Sequence, residues 1–246
     1  MKNKTVIITG AASGIGKATA ELFAKQGANI VVSDIQVAEG EKVVKEIISS
    51  GGKASFFKTD VSNPEEMEAL VNFTVKTYGK IDVAVNNAGI GGELNPITDL
   101  SIEGWQKVIS INLSSLFYGM KYQIQAMLKS GGGNIVNVSS ILGAVGFAGS
   151  AGYSAAKHGV IGLTQTAALE YAAQGIRINA VGPGFIDTPL LDALDDEMKK
   201  QLIALHPIGR LGKSEEIAAF IFWLSSDKAS FINGSYHPID GGYLAN

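Results

Sequence analysis

The chain has 246 residues, no cysteine and a formal charge of −3, from 20 Lys and Arg against 23 Asp and Glu. That length suits one α/β domain burying roughly 70–75% of its unfolded surface. The missing cysteines exclude disulfide and thiol chemistry, and the dispersed charge leaves no basic stripe for nucleic acid or an acidic membrane.

Hydrophobic residues reach 46% and charged ones only 17%, an apolar balance expected where subunits cover one another. The apolar run at residues 6–8 is too short for a signal-peptide core, and no stretch approaches a membrane span. A soluble, cytoplasmic protein is expected.

A buried strand is expected over residues 5–9 and a helix over 15–26, stopped by Gly27. A second strand (29–34), a helix (37–50) and a third strand (54–60) follow. Ser62-Asn63-Pro64-Glu65-Glu66 then reads as a helix start, with cap candidates, proline in the first turn and acids at the positive end.

Further strands are expected over 81–85 and 135–138, with one long helix over 105–128 between them. A helix over 151–173, a strand over 177–181, a helix over 214–226 and a strand over 235–239 complete the chain. Apolar strands alternating with helices specify a parallel sheet covered on both faces. The expected architecture is α/β: a Rossmann-type, doubly wound, seven-stranded parallel sheet with helices on both faces. It forms a single domain over 1–246, with a cofactor half at about 1–135 and a catalytic and substrate half at about 136–246. The helix at 217–224 has no polar side, and 105–128 is nearly as apolar, so both are expected to carry a homo-oligomer interface.

Gly10, Gly14 and Gly16 open the first strand–helix unit with Gly-x-x-x-Gly-x-Gly spacing. Glycines there let backbone N–H groups reach a nucleotide phosphate at the positive end of a helix. Asp34 closes the second strand, eighteen residues after Gly16. An acid there accepts ribose hydroxyls and repels a 2′-phosphate. Ser13 and Ile35, the positions open to a basic partner, carry no charge, so NAD(H) is expected over NADP(H).

Tyr153 and Lys157 lie one helical turn apart, with Ser140 thirteen residues before the tyrosine. Spacing of four places them on one helix face. A lysine ammonium about 5 Å from the phenol, at an effective dielectric of about 20, favours the phenolate by roughly 3 kcal/mol. A lone Tyr-x-x-x-Lys recurs by chance; its place behind a serine-bearing strand end is what carries weight.

Thr9-Gly-x-x-x-Gly-Ile-Gly16, Asn86-Asn-Ala-Gly89, Asn112, Ser140, Tyr153-x-x-x-Lys157 and Pro183-Gly184 resemble the short-chain dehydrogenase/reductases over the whole chain. The resemblance implies that Tyr153 moves the proton, Ser140 holds the carbonyl oxygen, Lys157 grips the nicotinamide ribose and Asn112 links Lys157 to solvent. It also implies cofactor contacts from Ile15, Asp60, Val61, Asn86, Ala88, Gly89, Pro183, Gly184, Ile186 and Thr188, and a homotetramer.

The three segments expected to meet substrate supply Glu93, Leu142, Val145, Phe147, Leu190 and Leu191. Their apolar character suits a neutral ketone or secondary alcohol rather than a carboxylate or phosphate. A mobile lid is expected over about 188–206. His158, His206 and His237 show no metal-ligand spacing, so no metal is assigned.

Within the family, a 3-oxoacyl-carrier-protein reductase or a sugar or steroid dehydrogenase is the alternative. Asp34 and uncharged Ser13 argue against the carrier-protein enzyme, which usually prefers NADPH. A dinucleotide-sensing regulator is disfavoured by the intact Ser140, Tyr153 and Lys157 set.

Overall fold

The computed structural model describes residues 1–192 and 194–245; residue 193, inside the expected lid, lies outside them. The chain runs β1 (Thr5–Thr9), α1 (Gly14–Lys25), β2 (Asn29–Asp34), α2 (Val37–Ser49), β3 (Lys53–Lys58), α3 (Pro64–Tyr78) and β4 (Val83–Asn86). Then come α4 (Ile102–Ile109), α5 (Ser115–Lys129), β5 (Gly133–Val138), α6 (Ala151–Tyr171) and β6 (Ile176–Pro183). Last are α7 (Asp196–Ala204), α8 (Ser214–Leu224) and β7 (Tyr236–Ile239).

The seven strands form one sheet in the order β3-β2-β1-β4-β5-β6-β7, every neighbouring pair parallel. This is the expected doubly wound sheet. All five residues of β1 are buried, and alternate ones serve opposite faces. Val6 and Ile8 join Phe23, Val32 and Ile221 in one core. Ile7 joins Val31, Leu70 and Ile135 in the other. The order reverses at β1 and β4, which leaves a crevice at the carboxyl ends of the strands.

The start signal at residues 62–66 works as read. Asn63 caps α3 by accepting from the Glu65 and Glu66 N–H groups, Pro64 opens the first turn, and Gly79 ends the helix at φ 85°. The end of α8 differs by two residues from expectation, and Ile217, Ala218, Ile221 and Leu224 face inward while Trp223 remains 38% exposed.

Three elements depart further. The expected long helix is two, because Ser110–Ser114 forms a π turn between α4 and α5. Its cause is Asn112, whose side chain accepts from Ile90 N (2.8 Å) and donates to Ile90 O (2.7 Å), pulling that turn toward the loop after β4. The fourth strand begins two residues late: the Asp82 carboxylate takes the Thr5 N–H and Lys4 and Lys80, so Asp82 anchors the strand start instead of lying in it. The segment expected as a lid contains a helix, α7, that apolar patterning did not announce. Asp195 caps it by accepting from Met198 N at 2.8 Å.

Candidate active site

A cavity of about 750 Å³ runs along the carboxyl ends of the strands, from Asp34 and Asp60 at one end to Leu202 and Leu205 at the other. Backbone geometry shapes its first end. Gly10 and Gly14 have φ of 63° and 51°, a region open to glycine. A Cβ on Gly10 would stand 2.8 Å from Ala88 Cα, and one on Gly16 would stand 2.1 Å from the Gly10 carbonyl. Gly16 therefore lies behind the cavity wall and lets α1 start hard against the turn.

The turn is locked from the side. Asn87 Nδ2 donates to Thr9 O (2.9 Å) and Gly10 O (3.1 Å), and the Thr9 hydroxyl accepts from Asn87 N and Ala88 N. The Asp34 carboxylate, only 9% exposed, accepts from Ala12 N and Gln36 N, both at 3.0 Å. Ser13 leaves the first N–H groups of α1 without a side-chain cap. Those free donors, the glycine clearance and Asp34 fit a nicotinamide dinucleotide. Ser13, Gly14, Ile15, Ile35, Asp60, Val61, Ala88, Gly89, Pro183, Gly184, Ile186 and Thr188 all line this cavity.

Asn86 does not. It is buried beneath the floor, donating to Gln123 Oε1 (3.1 Å) and Asn137 Oδ1 (2.9 Å) while accepting from Gln123 Nε2 (2.8 Å). Asn137 donates on to Thr164 Oγ1. This network ties β4 and β5 to α5 and α6, and a buried amide needs that many partners. The neighbouring Asn87 is the cavity-facing residue, and two adjacent asparagines offer no sequence signal to tell them apart.

At the middle of the cavity α6 presents Tyr153 and Lys157, with the Lys157 Nζ 5.5 Å from the Tyr153 ring centroid. The ammonium donates to Val138 O at 2.9 Å. Ser140 follows β5. Its hydroxyl accepts from Leu142 N, and its carbonyl accepts from the Tyr236 hydroxyl at 2.8 Å. Ser139, the adjacent hydroxyl, is spent on Lys157 O at 2.9 Å. Asn112 is fully buried below Gly89, where a Cβ would meet Asn112 Oδ1 at 3.1 Å and Lys157 Nζ at 3.7 Å.

The electrostatic expectation needs correcting. Burial pushes the Tyr153 phenol above its ordinary value, and the Ser140 hydroxyl draws it only partway back. Burial also pulls the Lys157 ammonium down to about 8. Desolvation is the largest influence on both groups.

The other end of the cavity is apolar. Leu142, Phe147, Leu190 and Leu191 line it as expected, joined by Phe185 and by Met198 and Leu202 of α7. Val145 and Glu93 do not line it. The Glu93 carboxylate accepts from Ser101 N (3.2 Å), Ser101 Oγ (2.8 Å) and Asn95 Nδ2 (3.4 Å), which bends the loop before α4. The Asp195 cap and the acids Asp196 and Glu197 after it were the available signal for α7.

No helix among the described residues is long and apolar enough to cross a membrane. Among those residues, no group of three or more His, Asp or Glu side chains could hold a metal ion.

Residues 10–244 match a family model described as enoyl-(acyl carrier protein) reductase. The chain is 53% identical over 243 residues to cyclohexanol dehydrogenase of Acinetobacter sp. (strain SE19), spanning 99% of this chain and 96% of the relative. It is 46% identical over 243 residues to cis-4-hydroxycyclohexanecarboxylate dehydrogenase of Sinomonas cyclohexanicum, spanning 98% and 97%. The crystal structure of levodione reductase superposes with a TM-score of 0.95 at 38% identity, covering 100% of this chain and 99% of that one. With the strand order and the serine–tyrosine–lysine constellation already in place, the chain belongs to the short-chain dehydrogenase/reductases, nicotinamide-dependent oxidoreductases of alcohols and carbonyls.

Proposed function

We propose that this enzyme interconverts a neutral, largely apolar cyclic ketone and its secondary alcohol with NAD(H). One observation carries the reading: Ser140, Tyr153 and Lys157 open onto a cavity whose far wall is Leu142, Phe147, Phe185, Leu190 and Leu202. That wall offers a carboxylate or phosphate no cation and favours a compact hydrocarbon ring. The names of the two curated relatives, both alcohol dehydrogenases of six-membered carbocycles, support the same substrate size.

In reduction the cofactor, when bound, supplies the hydride. Ser140 positions the carbonyl oxygen, and Tyr153 donates its phenolic proton to that oxygen. A phenol held above its ordinary value keeps this proton at neutral pH. Oxidation needs the phenolate, so its rate rises with pH. Lys157, charged below about 8, favours the phenolate and would hold the nicotinamide ribose when the cofactor is bound. Asn112 fixes Ile90 and thereby the floor beside Lys157.

Asp34 has two oxygens already accepting backbone N–H groups, and its remaining lone pairs suit ribose hydroxyls. Its charge opposes a 2′-phosphate, and Ser13, Ile35 and Gln36 beside it supply no cation. NADH is preferred.

The working form is a soluble cytoplasmic homotetramer. Ile102, Trp105 and Phe117 on α4 and α5, Leu169 on α6, and Trp223 with Phe231 near α8 are all exposed, and two such apolar faces suit two subunit contacts. Sedimentation equilibrium showing only monomer excludes the assembly.

The deciding assay follows NADH absorbance with cyclohexanone, an acetoacetyl thioester, a sugar and a steroid ketone, each repeated with NADPH. Cyclohexanone with NADH is the expected best pair. Faster turnover of the thioester with NADPH overturns the reading in favour of a carrier-protein reductase.

A further inference from the structure

We propose that His206 is a positioning residue that joins the lid helix to the substrate wall. It lies two residues after α7 and is only 3% exposed. Its Nδ1 bonds Leu202 O at 2.8 Å, and its Nε2 bonds Phe185 N at 3.2 Å. A carbonyl can only accept and an amide N–H can only donate, so the two contacts select one neutral tautomer, protonated at Nδ1. The ring thus spans from the last turn of α7 to the first residues after β6.

Both ends of that span belong to the cavity. Leu202 and Phe185 line it, and Phe185 packs edge-on against Phe147 of the opposite wall, with centroids 5.9 Å apart. His206 meets Phe185 edge-on at 5.7 Å, and Tyr243 near the C-terminus closes the cluster at 5.6 Å from His206 and 6.0 Å from Phe185. The backbone makes room for the imidazole: a Cβ on Gly184 would stand 2.8 Å from Nε2. Ile208 N donates to Gly241 O at 3.2 Å, holding the tail against the lid. A polar ring this buried, with both nitrogens used, is costly unless both bonds persist. The bond to Phe185 therefore sets where the aromatic wall stands when α7 covers the substrate.

The inference rests on the proposed ketone site for its kinetic arm and stands free of it in its proteolytic arm. Gln reaches the place of Nε2 and can accept the Phe185 N–H, whereas Asn reaches only the place of Nδ1, and Phe keeps the stacking without either bond. His206→Gln is expected to stay within about twofold of the parent. His206→Asn and His206→Phe are expected to raise KM for the ketone about tenfold, leave NADH affinity unchanged, and speed tryptic cleavage after Lys199 and Lys200 of α7 about tenfold.

Lid cleavage that separates Asn and Phe from Gln supports the joint even where no ketone is turned over, which would count against the substrate assignment alone. Parent-like KM and cleavage in all three variants overturn it. So does equal loss of cooperative melting in all three, which would mark a purely structural residue.

Discussion

The two ends of the cavity are built by different means. At the cofactor end, backbone atoms and glycines form the surface: Gly10, Gly14 and the free N–H groups of α1, braced by Thr9, Asn87 and Asp34. At the substrate end, side chains of Leu142, Phe147, Phe185 and α7 form it, held by van der Waals contact and by His206. Backbone surfaces tolerate few substitutions and recognise phosphate and ribose by hydrogen bonds. Side-chain surfaces reshape with one mutation, so within one fold the reaction stays and the substrate changes.

The comparison breaks first between the two ends, at Tyr153. Tyr153→Phe is expected to lower kcat at least about 10³-fold, the scale of a lost general acid, while NADH binding, measured by fluorescence titration, stays within about twofold. Substantial residual turnover would remove the phenol from the chemistry.

Asp34→Ser tests the cofactor end. It removes two charge-assisted hydrogen bonds from backbone N–H groups and the negative charge beside the glycine turn, each bond to a charged group contributing about 1.5–3 kcal/mol. A fall of about 10- to 100-fold in kcat/KM with NADH, with a relative gain for NADPH, is expected in steady-state assays.

Lys157→Met separates stability from chemistry. The folded amine titrates at about 8 against 10.5 when unfolded. Its value is depressed, so holding the buried charge destabilises the fold fully below about 8, and the penalty fades between 8 and 10.5. That difference corresponds to about 3 kcal/mol, less about 1 kcal/mol for the lost bond to Val138 O. Thermal melts at pH 7 should therefore show the variant some 4–8 °C more stable, with the gain vanishing near pH 10, while turnover collapses.

The smallest contrast lies at the substrate end. Phe147→Ala is expected to raise KM for a cyclic ketone about three- to tenfold, whereas Glu93→Gln, outside the cavity, should leave kcat/KM within about twofold. Equal effects of the two would return Glu93 to the substrate site.

Much of this was legible in the chain. Continuous apolar runs at β1 and β2 specified buried parallel strands, and Asn63-Pro64 specified the start of α3. Gly10, Asp34, Ser140, Tyr153 and Lys157, each singled out along the chain, line one cavity. The π turn at Asn112 was not legible, since its cause is a side chain bonding Ile90 twenty-two residues away. Nor was α7, which lies inside the segment expected as a lid.

By itself, the order of residues determined the alternation of strands and helices, the glycine turn, the acid after β2 and the one-turn spacing of Tyr153 and Lys157. These are local or periodic features, and backbone sterics read them directly. Tertiary structure alone decided which asparagine of the Asn86-Asn87 pair faces the cavity, and that burial holds Tyr153 above its ordinary value. It also decided that His206 meets Phe185. Each of those depends on the dielectric and on partners brought in by other strands and helices, and no window along the chain contains them.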